Sequence, residues 1–251
     1  MVLAAQEQEW RALLALPGFS TPGEDPGEGP RRYRAQLAGT SEVMELDVAV
    51  ALLRDVGRVE GAIATVELLH RHRPRWLLLT GVAGGFERSG VGLGDLVVAD
   101  SVVDYEYQRL SDSSTEYRWR SFPANITLLD AARATAERMA SRPAGAFPRV
   151  RFGRVMSGDK VIASPEAISR LGATATDALG VEMEGAGAAA AVARAAPHTG
   201  FLMIRGVVDL ANSSKRIDAA RWGRPVCDAL AEFTMATAVC AAATAGHSRP
   251  R

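Results

Sequence analysis

Apolar residues in this chain form short unbroken runs separated by stretches with helical spacing. That pattern marks strands buried on both faces alternating with covering helices. Val2-Leu3-Ala4-Ala5 predicts a first strand, followed by a helical stretch carrying Glu9, Trp10, Leu13 and Leu14. Further strands are predicted over 32–38 and 43–50, a helix over 56–72, and a buried strand over 76–80 that ends in GVAGG at 81–85. Residues 95–99 form the next strand, introduced by the tight GVGLG of 90–94. The polar stretch 109–124 predicts a loop or flap. A helix over 128–139, a strand over 150–156 and a helix entered at Ser164-Pro165-Glu166, with Ser as cap and Pro at the first position, come after it. A long amphipathic helix from about 221 to 243 closes the pattern. Strands alternating with helices predict a three-layer α/β/α sandwich around a mixed central sheet, in one domain over 1–245. The Pro/Gly-dense segment 17–30 predicts an exposed loop, and 246–251 a disordered tail.

Composition changes this picture little. The 251 residues suit one α/β domain, and 47% hydrophobic with 23% charged residues is ordinary for a globular chain. Lys+Arg and Asp+Glu both total 29, so no net field draws the protein to nucleic acid or an anionic membrane. Cys227 and Cys240 fall in one helical stretch, about 20 Å apart along its axis. They cannot pair within it, which points to a reducing, cytoplasmic setting. No secretory signal and no apolar run of membrane-span length stand out.

Several motifs are set aside on physical grounds. GVGLG precedes a strand rather than a helix, so it lacks the context of a dinucleotide fingerprint. GVAGG lacks the Gly-Lys-Ser/Thr of a phosphate cradle; turn geometry and close backbone approach to a ligand at Ala83 and Gly84 remain equally open. His70 and His72 point to different faces of a helix, His198 and His247 are isolated, and no metal site is supported. The acids are more informative. Glu182 and Glu184 flank Met183 where a strand gives way to an Ala/Gly-rich helix, and Asp209 ends the run Phe201-Leu202-Met203-Ile204. Carboxyl groups at strand ends lie where α/β proteins bind ligands. An Asp leaving an apolar run is partly desolvated, which favours its protonated form and suits a general acid. The competing reading is a buried acid paired with an arginine such as Arg205.

TGVAGG at 80–85, GVGLGDLVVAD at 90–100, SGDKVI at 157–162, VEMEGAG at 181–187 and IRGVVDLAN at 204–212 together resemble the nucleoside phosphorylase superfamily. The similarity is greatest to its hydrolytic branch, the methylthioadenosine/S-adenosylhomocysteine nucleosidases and related nucleosidases. The resemblance implies cleavage of an N-glycosidic bond in a purine nucleoside, with no cofactor. It implies that Glu184 holds the ribose hydroxyls, Met183 lies under the sugar and Asp209 protonates the departing base. It places Val161 and the Ile162 backbone along the base, has Arg205 orient Asp209, and makes Glu9 the activator of the attacking water, with Glu7 as its register competitor. Ala83 and Gly84 line the site; Glu182 is counted with the substrate-binding residues, though a supporting role suits it better. A homodimer is implied, in which the partner closes the 5′ end.

Three positions depart from that pattern. Val82 stands where the nucleosidases carry a small hydroxyl residue, Val161 where an aromatic ring stacks on adenine, and Val208 where a serine precedes the acid. These departures put an adenine thioether substrate in doubt. No cluster of arginines and serine for phosphate is evident near Thr80-Gly81-Val82-Ala83, so hydrolysis is expected over phosphorolysis. A nucleoside-binding sensor without turnover is the other alternative. Lys160 is expected in a salt bridge, and Arg118 or Arg120 could reach a substrate phosphate.

Overall fold

The computed structural model describes residues 1–19, 31–36, 42–112, 114–143, 145–172 and 175–247. The Pro/Gly-dense segment from residue 20 to 30, and the tail from residue 248 onward, lie outside the described residues. In chain order the strands are β1 (Val2–Ala4), β2 (Arg31–Gln36), β3 (Val43–Val48), β4 (Val50–Leu52), β5 (Trp76–Gly85), β6 (Leu96–Asp104), β7 (Gln108–Leu110), β8 (Thr115–Tyr117), β9 (Arg120–Pro123), β10 (Val150–Ser157), β11 (Ala178–Glu182) and β12 (Gly200–Asp209). The helices are α1 (Glu7–Leu14), α2 (Arg58–His72), α3 (Ile126–Ala140), α4 (Pro165–Gly172), α5 (Gly185–Ala195) and α6 (Lys215–His247).

Eight strands form one mixed sheet along the path β11-β10-β6-β12-β5-β1-β4, with β9 added to β6; β2–β3 and β7–β8 are separate ribbons. The central pair β5 and β12 runs parallel, while β6 meets β12 antiparallel. Both strands of the central pair are buried on both faces, which explains their unbroken apolar runs. Leu77, Leu79, Phe201 and Met203 face Leu69 of α2 and Ala188, Ala189 and Val192 of α5. Leu78, Leu202 and Ile204 face the opposite way, onto Leu128 and Ala132 of α3 and Leu230 and Phe233 of α6. The three layers are those expected.

The sheet twists so strongly that β11 returns to β5, pairing Gly180 with Gly85 and Val181 with Gly84. Glycine is required there: a β-carbon on Gly180 would sit 2.6 Å from the Gly84 carbonyl oxygen. Gly187 has a similar reason, since any side chain would strike the Arg58 carbonyl where α5 crosses α2.

Three expectations need correction. The 109–124 stretch is no simple loop: it holds the β7–β8 ribbon and β9, which adds to the main sheet. β5 continues through GVAGG instead of ending before it. α6 starts at Lys215, earlier than expected, with Pro225 inside it. That helix, over Lys215–Ala245, is long and apolar enough to cross a membrane by length and composition, although the sequence suggested no such run. It packs on β12 and β5 as a core helix, and 61% of its most apolar window is buried.

Candidate active site

The Glu9 carboxylate takes over a job that β1 leaves undone. β1 pairs with β5 up to Ala4 opposite Thr80, and then the chain turns into α1. The next β5 donor, the Val82 amide, bonds Glu9 Oε1 at 2.8 Å. Oε2 accepts from the Gln6 amide at 2.6 Å, holding the first turn of α1. A glutamate at this helix position is ordinarily solvated; here it is 2% exposed. Burial pushes its carboxyl up to about 7, against the pull of Arg205 and the two amides, and Glu184 adds to the rise. Glu7, the register competitor, instead pairs with Arg11 on the surface.

Arg205 is the cation at the centre of this site. Its Nη2 contacts Glu182 Oε2 and lies 3.1 Å from Glu184 Oε2. Burial opposes its charge, but Glu182, Glu184 and Glu9 outweigh that and hold the guanidinium charged. Gly81 is glycine because the guanidinium occupies the space a side chain would need. Glu182 also accepts from the Glu184 and Gly185 amides, so it caps α5 and braces Arg205 rather than facing a ligand. Glu184 keeps one oxygen on Arg205 and the other 3.3 Å from the Gly57 amide. Burial raises its carboxyl pKa against the pull of Arg205.

Asp209 is buried, as expected, but its partners are not. Oδ1 accepts from the Ala211 amide at 2.7 Å, and Oδ2 pairs with Lys215 Nζ at 2.9 Å. Arg205 does not orient it: the four-residue step from 205 to 209 separates their Cα atoms by about 13 Å along β12, and the guanidinium is directed to Glu182 and Glu184. Gly84, opposite Asp209 in the β5–β12 ladder, lets the acid close in, since a β-carbon there would lie 2.9 Å from Oδ1. Ala83 is buried beside it. Ile162 packs in one cluster with Ala211, which brings the 161–162 segment to the Asp209 end, while Val161 is exposed. Met183 is half-buried between Glu182 and Glu184.

The expected residues thus fall into two groups, Glu9, Glu182 and Glu184 around Arg205, and Asp209 with Gly84 and Lys215 at the end of β12. Others do not join them. Lys160 pairs with Glu106, Arg118 with Glu116, and Arg120 stacks over the Tyr107 ring. Sequence reasoning missed Lys215 and the first turn of α2. There Arg58 binds Asp104 through Nη1 at 2.8 Å and Asp159 through Nε at 3.1 Å, tying the SGDKVI loop to α2 beside the Gly57–Glu184 contact. The visible signal for Lys215 was Asn212-Ser213-Ser214, a turn-forming run that folds the chain back onto Asp209. Among the described residues, no group of three His, Cys, Asp or Glu side chains is placed to hold a metal.

A family model described as the phosphorylase superfamily matches residues 1–244. A 5′-methylthioadenosine/S-adenosylhomocysteine nucleosidase of Bacillus licheniformis is 30% identical over 198 residues, covering 74% of this chain and 79% of that protein. The Haemophilus influenzae protein of the same name is 32% identical over 170 residues, 64% of this chain and 68% of that one. Among solved structures, the Neisseria meningitidis nucleosidase in complex with methylthio-immucillin-A superposes with a TM-score of 0.71 at 21% identity, over 94% of this chain and 96% of that chain. The futalosine hydrolase of Helicobacter pylori gives 0.72 at 19% identity, over 94% and 95%. The chain belongs to the phosphorylase superfamily.

Proposed function

We propose that this protein is a purine nucleosidase that hydrolyses the N-glycosidic bond and releases free base and sugar. The observation that carries the reading is the buried trio of Glu9, Arg205 and Glu184. Glu9 sits almost out of solvent with a pKa near 7, and its neighbour Glu184 is positioned by Arg205 and Gly57. A base poised near neutrality is suited to take a proton from water as its oxygen bonds to the anomeric carbon. Glu184 accepts hydrogen bonds from the ribose hydroxyls and offsets positive charge growing on the sugar. The C1′–N9 bond breaks with its electron pair going to the purine, whose five-membered ring gains a proton from the Asp209–Lys215 pair. Glu9 then releases the water's proton to solvent and solvent reprotonates the Asp209–Lys215 pair, so the reaction nets to hydrolysis. The names of the relatives support a nucleosidase, and the resemblance supports hydrolysis over phosphorolysis.

The protein works as a homodimer in the cytoplasm, on a free nucleoside rather than on nucleic acid or at a membrane. Support comes from the family resemblance, the balanced charge, and the free thiols of Cys227 and Cys240. Val56, Val59 and Ile63 are exposed around the start of α2, beside Gly57, an apolar face suited to a second subunit near the sugar end. Chromatography of the protein incubated with purine and pyrimidine nucleosides, with and without phosphate, tests the reading. Free purine base and free sugar should form without phosphate. Turnover that needs phosphate and yields a sugar 1-phosphate overturns it.

A further inference from the structure

We propose that Lys215 selects 6-oxopurine nucleosides, those of hypoxanthine or guanine, over adenine nucleosides; this rests on the nucleosidase reading and names its substrate class. Asp209 has one oxygen committed to the Ala211 amide, and the other carries the Lys215 ammonium at 2.9 Å. The acid's side chain is 3% exposed and the lysine's is 30% exposed, so the ammonium lies on the open side of the acid. Gly84 and Ala211 close on the acid's other oxygen, Oδ1, with backbone and a methyl group. A base that reaches Asp209 therefore meets the lysine as well.

A purine presents N7 and its C6 substituent together on one edge. In guanine, as in hypoxanthine, both are acceptors; in adenine the C6 substituent is an amino donor. An ammonium has three donors and no acceptor. Against a 6-oxopurine, one Nζ hydrogen stays on Asp209 and the other two go to O6 and N7, so donors and acceptors are matched. Against adenine, the amino group and the ammonium are two donors face to face, and one is left without a partner in a partly desolvated site. The same contact helps the reaction. As the C1′–N9 pair moves into a 6-oxopurine, negative charge reaches O6 and N7, beside a fixed cation. N7 takes the proton shared by Lys215 and Asp209, and solvent restores it after the base leaves.

The test compares base release from inosine, guanosine and adenosine by the full-length wild-type protein, Lys215→Met and Lys215→Arg. Wild type should favour inosine or guanosine by about tenfold or more in kcat/KM, the discrimination one well-placed donor pair gives. Lys215→Met should slow all three substrates, because it removes the shared proton, but slow the oxopurines about tenfold more and so erase the preference, and Lys215→Arg should retain part of it. A wild-type preference for adenosine, or an equal loss on all three substrates in Lys215→Met, overturns the proposal. Calorimetric titration with free hypoxanthine and free adenine separates this inference from the hydrolytic reading. Tighter hypoxanthine binding that vanishes in Lys215→Met upholds the selection even if no nucleoside is cleaved, and equal affinity in wild type sinks it.

Discussion

Glu9 and Val82 lie 73 positions apart in the chain, yet Glu9 Oε1 accepts the Val82 amide hydrogen at 2.8 Å. This bond fixes a helix-borne acid against the central sheet and places it within electrostatic reach of Arg205 and Glu184. The rate should follow from it. With the Glu9 carboxyl near 7, kcat/KM should rise with pH and level off above about 7. Glu9→Gln should lower turnover by about 10² to 10⁴ and remove that rise. A pH–rate profile of the two proteins checks this; an unchanged limb in Glu9→Gln assigns the titration elsewhere.

The same group sets a pH dependence of stability. Its folded pKa lies above its ordinary value of 4.5, so burial favours the protonated form. The stability linked to Glu9 is complete below about 4.5 and is lost as pH rises through about 7, roughly 3 kcal/mol in all. Denaturant unfolding of wild type and Glu9→Gln between pH 4 and 8, values chosen to bracket that window, should show wild type losing about that much more than the variant. Parallel curves would refute it.

Asp209→Asn keeps the shape of the side chain and an acceptor for the Ala211 amide but cannot share a proton with Lys215. Base release should fall by about 10² to 10⁴, with nucleoside affinity largely kept. Single-turnover kinetics beside a binding isotherm separates the two effects. Full activity in Asp209→Asn would remove the acid from the mechanism.

Arg205→Met leaves Glu182 and Glu184 buried without their cation. Loss of one partner from a buried ion pair is worth about 3–5 kcal/mol, so the melting temperature should drop sharply. Adding Glu182→Gln to that variant should recover part of the loss, because one uncompensated carboxylate goes with it. Thermal unfolding of the single and double variants supplies the comparison, and a double variant less stable than Arg205→Met contradicts the charge argument.

Much of this arrangement was legible in the residues. Strand runs at 76–80 and 201–204 announced a sheet buried on both sides, and the acids stood at strand ends, Asp209 after the second of these runs and Glu182 and Glu184 where another short strand gives way to a helix. Direction was harder to read. Arg205 and Asp209 are close in sequence, but strand rise separates them and the acid draws its cation from the first residue of α6. Glu9 looked like a solvated helix residue because its burial comes from β5, a segment with no local trace near residue 9. The strands in 108–123 escaped notice because β7 and β8 form an exposed polar ribbon without the apolar alternation that marks a half-buried strand.

The return of β11 onto β5 has a mechanical consequence. β11, β10, β6, β12 and β5 are each bonded to the next, and the last is bonded to the first, so they close into a ring of strands. A closed ring has no free edge at which to splay. Glu182 and Asp209 are the last residues of β11 and β12 in that ring, and Glu184 follows two residues after Glu182. Three segments dock outside the ring: the start of α1 with Glu9, the start of α2 with Gly57, and the start of α6 with Lys215. Each is tied to a site residue or to the ring by a hydrogen bond or ion pair, so three polar contacts set the positions of these segments against the closed barrel.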